Sequence, residues 1–402
     1  MGAGVIGLGI AWRAAQRGRA VLVLDRGEPG RGASFHAAGM LAPITEAGYG
    51  EDQLLRLNLA SARRYPSFLG DLEAATGRRL ASEAPGTLFV ALDRDQLEAL
   101  NRLWALHQRL ELPSSWVGGA RCRELDPALH PGVRAGILAP EREVNPRALT
   151  AALVEAVRAS GGAIRSPANV AEVTAGAVVL AGGDRIEVGA GGRIVLAAGC
   201  WSGAIEGLPA GVAAAVRPVK GQILRLRPKP GDPAPLCHVI RTEEVYLVPR
   251  ADGEVVVGAT VEEQGFDQSL TGGGIYELLR AAIEAVPAVR ELELVEATAG
   301  LRPGSRDNGP LIGPLDEVPS GPPRGDLGGP LGGSPSSGLI LATGHYRNGI
   351  LLAPVTADAV AAMIDGQEPP AEVRPYSPRR FVAAGVASPL SPLTQEAACA
   401  SR

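Results

Sequence analysis

The stretch Gly2-Ala3-Gly4-Val5-Ile6-Gly7 decides the fold, because it matches the pattern G-x-G-x-x-G and leads directly into residues 8–16, which predict a helix. Gly2 would form the turn, Gly4 would let the backbone approach a pyrophosphate, and Gly7 would let the helix lie close to a sheet. The amino terminus of this helix would face the phosphates with its positive dipole end and its free N–H groups. The motif therefore predicts a dinucleotide-binding α/β fold.

An acidic residue follows at the spacing that a nucleotide site needs. Residues 20–24 are apolar and predict a buried parallel strand, and Asp25 comes 18 residues after Gly7. An acid at about this distance binds the ribose in such folds. Glycines also open helices for purely structural reasons, so the combination of helix, strand and acid supports the site better than the glycines alone.

The composition argues against several other classes of protein. The 402 residues include 43 acidic and 39 basic side chains, without a Lys/Arg cluster that would indicate a nucleic-acid partner. No apolar run reaches the roughly 18 residues of a membrane span, and the first residues do not resemble a signal peptide. The cysteines and histidines lack the spacing of metal ligands. The sequence therefore predicts a cytoplasmic protein whose chemistry comes from an organic cofactor and not from a metal.

Further segments of small residues favour a flavin over a nicotinamide. Residues 30–43 read G-R-G-A-S-F-H-A-A-G-M-L-A-P, so the backbone there could pack against a flat ligand, although a flexible surface loop is the alternative. Residues 193–199 predict an apolar strand that ends in small residues. Residues 338–350 predict another strand and a glycine-containing turn, followed by an amphipathic helix at 354–364. A nicotinamide site has no need of these additional segments.

Four segments carry a specific resemblance to a known family. They are G-A-G-V-I-G-L at 2–8, G-A-S-F-H-A-A-G-M-L-A-P at 32–43, A-G-L-R-P-G-S-R-D-N-G-P-L-I-G at 299–313 and G-H-Y-R-N-G-I-L-L-A-P at 344–354. In this order they resemble the glycine oxidases of thiamine biosynthesis, within the FAD-dependent D-amino-acid oxidase group. The similarity extends from residue 2 to about residue 368, which is nearly the whole chain.

The resemblance implies two domains built from separate segments of the chain. An α/β FAD-binding, Rossmann-like domain would comprise residues 1–80, 141–204 and 300–368. An α+β substrate domain with a mostly antiparallel sheet would comprise residues 81–140 and 205–299, and short strand patterns in residues 205–300 agree with this. The Gly/Pro-rich residues 318–337 predict a flexible loop, and residues 381–402 predict a disordered tail.

One part of the nucleotide motif departs from expectation. The glycine pattern normally follows a strand of about five residues, whereas only Met1 precedes Gly2. The sequence therefore predicts an FAD-binding domain without its first strand. A truncated, non-catalytic flavoprotein is one alternative that this departure leaves open.

The resemblance implies which residues contact FAD. They come from the glycine motif, the strand end that follows it, the small-residue segment and the two later strand ends. The assigned residues are Gly2, Gly4, Val5, Ile6, Gly7, Asp25, Arg26, Ala33, Ser34, Ala38, Gly39, Met40, Ala198, Gly199, Arg302, His345, Arg347, Asn348, Gly349 and Ile350.

Three residues are candidates for the catalytic site. Amino acid oxidation needs the substrate carboxylate held in a fixed orientation, and a planar guanidinium can do this through two parallel hydrogen bonds. Arg302 matches the family's carboxylate-binding arginine, Tyr246 matches its substrate-binding tyrosine, and Arg347 would be a second cation. Val261 stands where the family often has a pocket-lining Met, a difference that bears on substrate preference.

The resemblance also implies the reaction and its partners. Glycine or another small amino acid would give a hydride to FAD, with dioxygen as the final acceptor, yielding the 2-oxo acid (glyoxylate from glycine), ammonia and hydrogen peroxide. His36 and His345 are not expected to be general bases, because in this group the amine is thought to bind neutral. Oxidation of sarcosine or another N-methyl amino acid, and a D-amino-acid oxidase or dehydrogenase, are the alternatives. A homo-oligomer is also implied.

Overall fold

The computed structural model of the protein describes residues 1–80, 82–315 and 338–382. The predicted flexible loop at 318–337, and the predicted tail beyond Val382, lie outside these residues. Phe381, the first residue of that predicted tail, is instead buried in a 3₁₀ helix, Pro378–Phe381.

Three of the helices begin where a short polar side chain binds free amides of the first turn. Asp93 accepts a hydrogen bond from the Gln96 amide, Asn145 accepts from Arg147 and Ala148, and Thr271 accepts from Gly274. The α-helices of the described residues are α1 (Val5–Gln16), α2 (Asp52–Thr76), α3 (Arg94–Arg109), α4 (Gly119–Leu125), α5 (Pro146–Ala159), α6 (Ala210–Ala213), α7 (Gly272–Ala285) and α8 (Ala353–Ile364).

The strands are short, apart from two long ones that cross the molecule. In chain order they are β1 (Leu22–Leu24), β2 (Met40–Leu41), β3 (Thr87–Ala91), β4 (Ser115–Gly118), β5 (Ala135–Ala139), β6 (Arg142–Glu143), β7 (Ala163–Arg165), β8 (Val170–Thr174), β9 (Ala177–Leu180), β10 (Arg185–Glu187), β11 (Ile194–Leu196), β12 (Val216–Arg227), β13 (Val239–Arg241), β14 (Tyr246–Pro249), β15 (Val255–Gly258), β16 (Glu293–Ser305), β17 (Leu311–Leu315) and β18 (Leu339–Thr343).

The first layer is the predicted Rossmann-like α/β arrangement, with Met1 and Gly2 at its centre. β1 pairs in parallel with β7, and β11 pairs in parallel with β18. Between the two pairs, the Met1 amine donates to the Val195 carbonyl at 2.7 Å and the Gly2 amide donates to the Leu24 carbonyl at 2.7 Å. β1 is only partly the buried strand that was predicted, because it has few neighbours at this end and Leu22 remains 46% exposed.

Four helices form the main apolar core of this layer. α1 packs against α5 and α8, and α2 packs against the same two helices. The rings of Trp12 and Phe68 meet edge to face there, with centroids 5.4 Å apart. α8 is buried on nearly all sides by α1, α2, β17 and β18, so the prediction of an amphipathic helix at 354–364 was wrong.

The second layer is a mixed, mostly antiparallel sheet of eight strands in the order β16-β12-β15-β14-β13-β3-β5-β4. Its neighbouring strands are antiparallel except for the parallel pair β13 and β3. α7 packs on β12 and β15, and α3 packs on β3 and β5. The long strands β12 and β16 continue past this sheet to the 3₁₀ helix Gly199–Ala204 of the first layer. The layers are thus an α/β unit and an α+β unit, as predicted.

A helix that crosses a bilayer needs about 20 mostly apolar residues. Within residues 1–80, 82–315 and 338–382, no helix is both long and apolar enough to cross a membrane.

Close approach of backbone atoms fixes α1 against the turn that precedes it. A Cβ atom added to Gly7 would overlap the Gly2 carbonyl oxygen, and one added to Gly2, where φ is +97°, would overlap the Ala197 carbonyl oxygen. Gly9, two residues further along the same helix, has room for a methyl group in ordinary contact with Ala357.

We expect Gly7→Ala to lower the free energy of unfolding by about 1–3 kcal/mol, because the new methyl group forces α1 away from the turn. Gly9→Ala is the matched control in the same helix, and its higher helix propensity should leave stability equal or greater. Urea unfolding followed by far-UV circular dichroism measures both. Equal stability of the two variants would contradict the packing argument.

Candidate active site

A cavity of about 810 Å³ lies between the two layers. It is lined by the start of α1, the ends of β1, β11 and β18, residues 26–42, and one face of the eight-stranded sheet. Every residue that the sequence assigned to the cofactor or to catalysis lines it, with the exception of Gly7. Gly7 lies behind the lining, where it lets α1 pack against Gly2.

One end of the cavity has the features of an anion site. α1 begins at Gly4, has no acidic residue in its first turn, and receives one external cap because the Val5 amide donates to Ser34 Oγ at 3.0 Å. The other amides of a first helical turn have no acceptor within the helix. They combine with the positive end of the helix dipole to favour a phosphate group.

Asp25 shapes the turn beside this anion site. Its carboxylate accepts hydrogen bonds from the Ala3 amide at 2.6 Å and from the Gly27 amide at 2.9 Å. The neighbouring Arg26 places its guanidinium 3.6 Å from the centre of the Trp201 ring, an aromatic residue that also lines the cavity. Trp201 was missed by the sequence reasoning, although its position just after the β11 strand end was a usable signal.

The segment 30–43 forms a wall with little side-chain bulk. At Gly39, φ is +82° and an added Cβ would overlap the Val144 carbonyl oxygen. Ala33 and Ala38 line the cavity with single methyl groups. A cavity with an anion-binding helix terminus at one end and a flat, small-residue wall beyond it fits a dinucleotide that carries a planar ring system.

The other end of the cavity holds Tyr246 and Arg302 on neighbouring parts of the sheet. The Tyr246 ring lies over Gly258, and the Arg302 guanidinium lies over Gly221, where added Cβ atoms would overlap them. Nη1 of Arg302 donates to the carbonyls of Lys220 at 3.3 Å and Thr260 at 3.1 Å. Two backbone acceptors on one nitrogen hold the guanidinium in a fixed orientation.

Several charges affect the Tyr246 hydroxyl. Burial raises its pKa most strongly, the nearby Arg302 and Arg347 oppose that shift, and Glu46 adds to it. The hydroxyl is therefore protonated at neutral pH and remains able to donate a hydrogen bond.

Arg347 lies in a 3₁₀ turn, Tyr346–Asn348, at the same end of the cavity. α2 fixes the chain just after this turn. Ser61 Oγ donates to the Leu351 carbonyl at 2.6 Å, and the Tyr65 hydroxyl donates to the Ile350 carbonyl at 2.7 Å. Two buried side chains of the first layer thus anchor the backbone that carries Arg347.

Both histidines of the cavity are neutral at physiological pH. Burial lowers the pKa of His345 to about 3, and its Nε2 lies 3.1 Å from Thr356 Oγ1. Burial, followed by the charge of Arg147, lowers the pKa of His36 to about 4, and its ring lies over Gly300. Such low pKa values make both imidazoles weak proton acceptors, and the expectation that neither histidine is a general base stays a prediction.

The cavity also contains groups that the sequence reasoning did not identify. Arg241 and Glu46 form an ion pair of 2.9 Å in its wall. The two residues are 195 positions apart in the chain, so no local pattern relates them.

Val261, expected in the pocket, lines the cavity and is 52% exposed. In the part of the chain that the structure describes, no three His, Cys, Asp or Glu side chains could together hold a metal ion.

We expect the low pKa of His345 to make stability depend on pH. Below its ordinary pKa of 6.5 the unfolded chain takes up a proton that the folded protein excludes, so stability falls as the pH falls. Lowering the pH from 6.5 to 5 should therefore reduce the free energy of unfolding by about 2 kcal/mol through this group.

Urea unfolding at both pH values tests this expectation. His345→Gln should lose that part of the pH dependence, whereas the exposed His130→Gln should retain it. The same slope in both variants would show that His345 is not the group responsible.

Comparison with known proteins identifies the family of this chain. The chain matches the family described as FAD dependent oxidoreductase over residues 1–363. It is 34% identical over 397 residues to glycine oxidase of Pseudomonas aeruginosa, covering 94% of this chain and 97% of that protein. It is also 34% identical over 389 residues to the bifunctional protein ThiO/ThiG of Synechocystis, covering 95% of this chain but 53% of that protein.

A solved structure shows the same fold. The crystal structure of glycine oxidase from Geobacillus kaustophilus matches with a TM-score of 0.82 at 27% identity, over 94% of this chain and 96% of that one. The start of α1, with its free amides, and the wall of small residues fit FAD. The chain therefore belongs to the FAD-dependent oxidoreductase family, and FAD is its cofactor.

Proposed function

We propose that the protein oxidises glycine, or another amino acid of similar size, to the corresponding imine. Hydrolysis of the imine then gives the 2-oxo acid and ammonia, with hydrogen peroxide as the product from dioxygen. The observation that carries this proposal is the fixed guanidinium of Arg302 beside the Tyr246 hydroxyl on one wall of the cavity. The relatives named glycine oxidase support the small substrate.

Arg302 and Tyr246 would hold the substrate carboxylate. Because Nη1 of Arg302 is bound by the Thr260 and Lys220 carbonyls, the remaining N–H groups present a rigid edge for two parallel hydrogen bonds. The protonated Tyr246 hydroxyl would donate a third bond to the same carboxylate. Three donors from two strands fix both the position and the rotation of the amino acid, which directs its Cα–H bond.

The remaining charges suit a substrate that reacts as a neutral amine. FAD, when bound, supplies the hydride acceptor and passes the electrons to dioxygen. Arg302 and Arg347 line this end of the cavity, and their positive charges would disfavour a protonated substrate amine. Arg347 would provide the second cation near the reacting carbon.

Different parts of the cavity lining would hold the two halves of FAD. The nucleotide half of FAD would lie against Gly4, Val5, Asp25 and Arg26, and its ring system would lie beside residues 33–40 and the turn at 345–350. The domain boundaries proposed from the sequence place these residues in the FAD-binding domain and Tyr246 in the substrate domain.

We also propose a cellular role. A relative that joins a comparable segment to a second one, under the name ThiO/ThiG, supports a role in forming the thiazole of thiamine. Such a role would place the protein in the cytoplasm.

The first test is the visible spectrum of the purified protein under anaerobic conditions. We expect flavin absorption that is bleached by glycine faster than by sarcosine or D-alanine. Faster bleaching by sarcosine would favour an N-methyl amino acid oxidase instead. A flavin that none of the three bleaches would refute amino acid oxidation and favour a non-catalytic flavoprotein.

Arg302→Lys should lower kcat/KM for glycine about 10- to 100-fold, because a lysine cannot make two parallel bonds to a carboxylate. The flavin spectrum should not change, since the charge is retained. Arg227→Lys, on the exposed end of the neighbouring strand β12, is the matched control and should have wild-type kinetics. Stopped-flow reduction by glycine measures both, and equal rates for the two variants would contradict the role of Arg302.

A further inference from the structure

The cavity wall next to Tyr246 contains an ion pair that the proposed chemistry does not use. Arg241 Nη1 and Glu46 Oε1 are 2.9 Å apart, and each side chain is only about one sixth exposed, at 17% and 16%. Both residues line the cavity. An ion pair that is largely removed from water is costly to form, so its presence in a binding cavity calls for an explanation.

The acidic partner is held in place by a separate buried carboxylate. Glu141 accepts hydrogen bonds from the amides of Ile44 at 2.7 Å and Thr45 at 2.8 Å, and from the Thr45 hydroxyl at 2.7 Å. Glu141 is 3% exposed. These three bonds fix the backbone immediately before Glu46, and the ion pair with Arg241 holds its side chain.

The basic partner is held by the sheet. Arg241 lies directly opposite Tyr246 in the antiparallel pair β13 and β14, and its guanidinium lies 5.1 Å from the centre of the Phe89 ring on β3. Residues directly opposite each other in antiparallel strands have Cβ atoms about 5 Å apart. The ion pair therefore lies next to the side chain of Tyr246, whose hydroxyl would hold the substrate carboxylate.

We propose that Glu46 and Arg241 determine substrate specificity by forming a polar wall beside the reacting carbon, which restricts the site to amino acids without a large apolar side chain. This inference rests on the proposed amino acid oxidation. A leucine-like side chain placed against the ion pair would displace the water that still hydrates the two charged groups, and it would offer them no hydrogen bond in exchange. Glycine, which has only hydrogen where other amino acids have a side chain, would leave this water in place.

The charges of the pair explain why it does not simply bind a second substrate carboxylate. Glu46 neutralises Arg241 at 2.9 Å. A second carboxylate would have to displace Glu46, whose backbone Glu141 holds fixed. The wall therefore discriminates against both apolar and acidic side chains, which leaves small substrates.

The test replaces both charges with apolar groups of similar length. Substituting both members of a buried pair is often neutral for stability, so Glu46→Met combined with Arg241→Met should fold and retain the flavin spectrum. We expect its preference for glycine over D-leucine, measured as the ratio of kcat/KM values, to fall at least about 10-fold because D-leucine gains. A ratio within about twofold of wild type would overturn the proposal.

Ligand binding provides a readout that does not depend on turnover. Acetate and 4-methylpentanoate carry the carboxylate of glycine and of leucine without the amine, and each can be titrated by its effect on the flavin absorption spectrum. The double variant should bind 4-methylpentanoate more tightly relative to acetate. An unchanged ratio of the two dissociation constants would count against the wall.

Two further variants keep the test decisive. Arg78→Met with Glu155→Met removes an exposed ion pair far from the cavity lining, and its substrate ratio should equal that of wild type. If the apolar double variant fails to fold, Glu46→Gln with Arg241→Gln removes both charges with less change in polarity. That variant should lower the glycine preference about 3-fold, and an unchanged preference would again overturn the proposal.

The two levels of the proposal fail in different ways. A wild-type flavin that glycine, sarcosine and D-leucine all leave oxidised refutes amino acid oxidation and the specificity wall together. A wild-type preference for glycine that survives both double substitutions refutes the specificity wall alone.

Discussion

The substrate end of the cavity depends on the absence of side chains at three positions of one sheet. Gly300, Gly221 and Gly258 lie on the adjacent strands β16, β12 and β15, and Gly221 is directly opposite Gly300. A Cβ atom at these positions would overlap His36, Arg302 and Tyr246, respectively. The glycines therefore form a floor across which the larger side chains lie flat. Without that floor the guanidinium and the phenol would be pushed into the space that the substrate needs.

A network of ion pairs fixes this sheet relative to the cofactor layer. Glu296 on β16 pairs with Arg147 at 2.9 Å and with Arg225 at 3.3 Å, and Arg225 is also paired with Glu254. Arg147 lies in the first turn of α5 and donates from Nε to the Phe35 carbonyl at 3.2 Å. Because Arg225 is 3% exposed, its buried charge depends on these two carboxylates for compensation. The small-residue segment is thus aligned with the sheet by charges as well as by packing.

Local patterns in the sequence were sufficient for the nucleotide half of the site. The glycine motif, Asp25 and the strand ends each depend on spacing within about 20 residues, and the structure brings all of them to one cavity apart from Gly7. The pairing of Glu46 with Arg241 was not predictable, because it depends on how β13 lies against a loop almost 200 residues earlier. The error in α8 has a related cause, since its few polar residues suggested an exposed face that four neighbouring elements in fact cover.

The distribution of charge around the proposed substrate position is consistent with a single carboxylate. Arg241, Arg302 and Arg347 line that end of the cavity, and Glu46 neutralises the first of them. Two guanidiniums then remain for a substrate with one carboxylate. Hydride transfer moves negative charge from the substrate to the flavin, and a fixed positive charge near the acceptor would lower the energy of that change without reorganisation. The same ion pair that would exclude large side chains thus also sets how much positive charge the reacting groups experience.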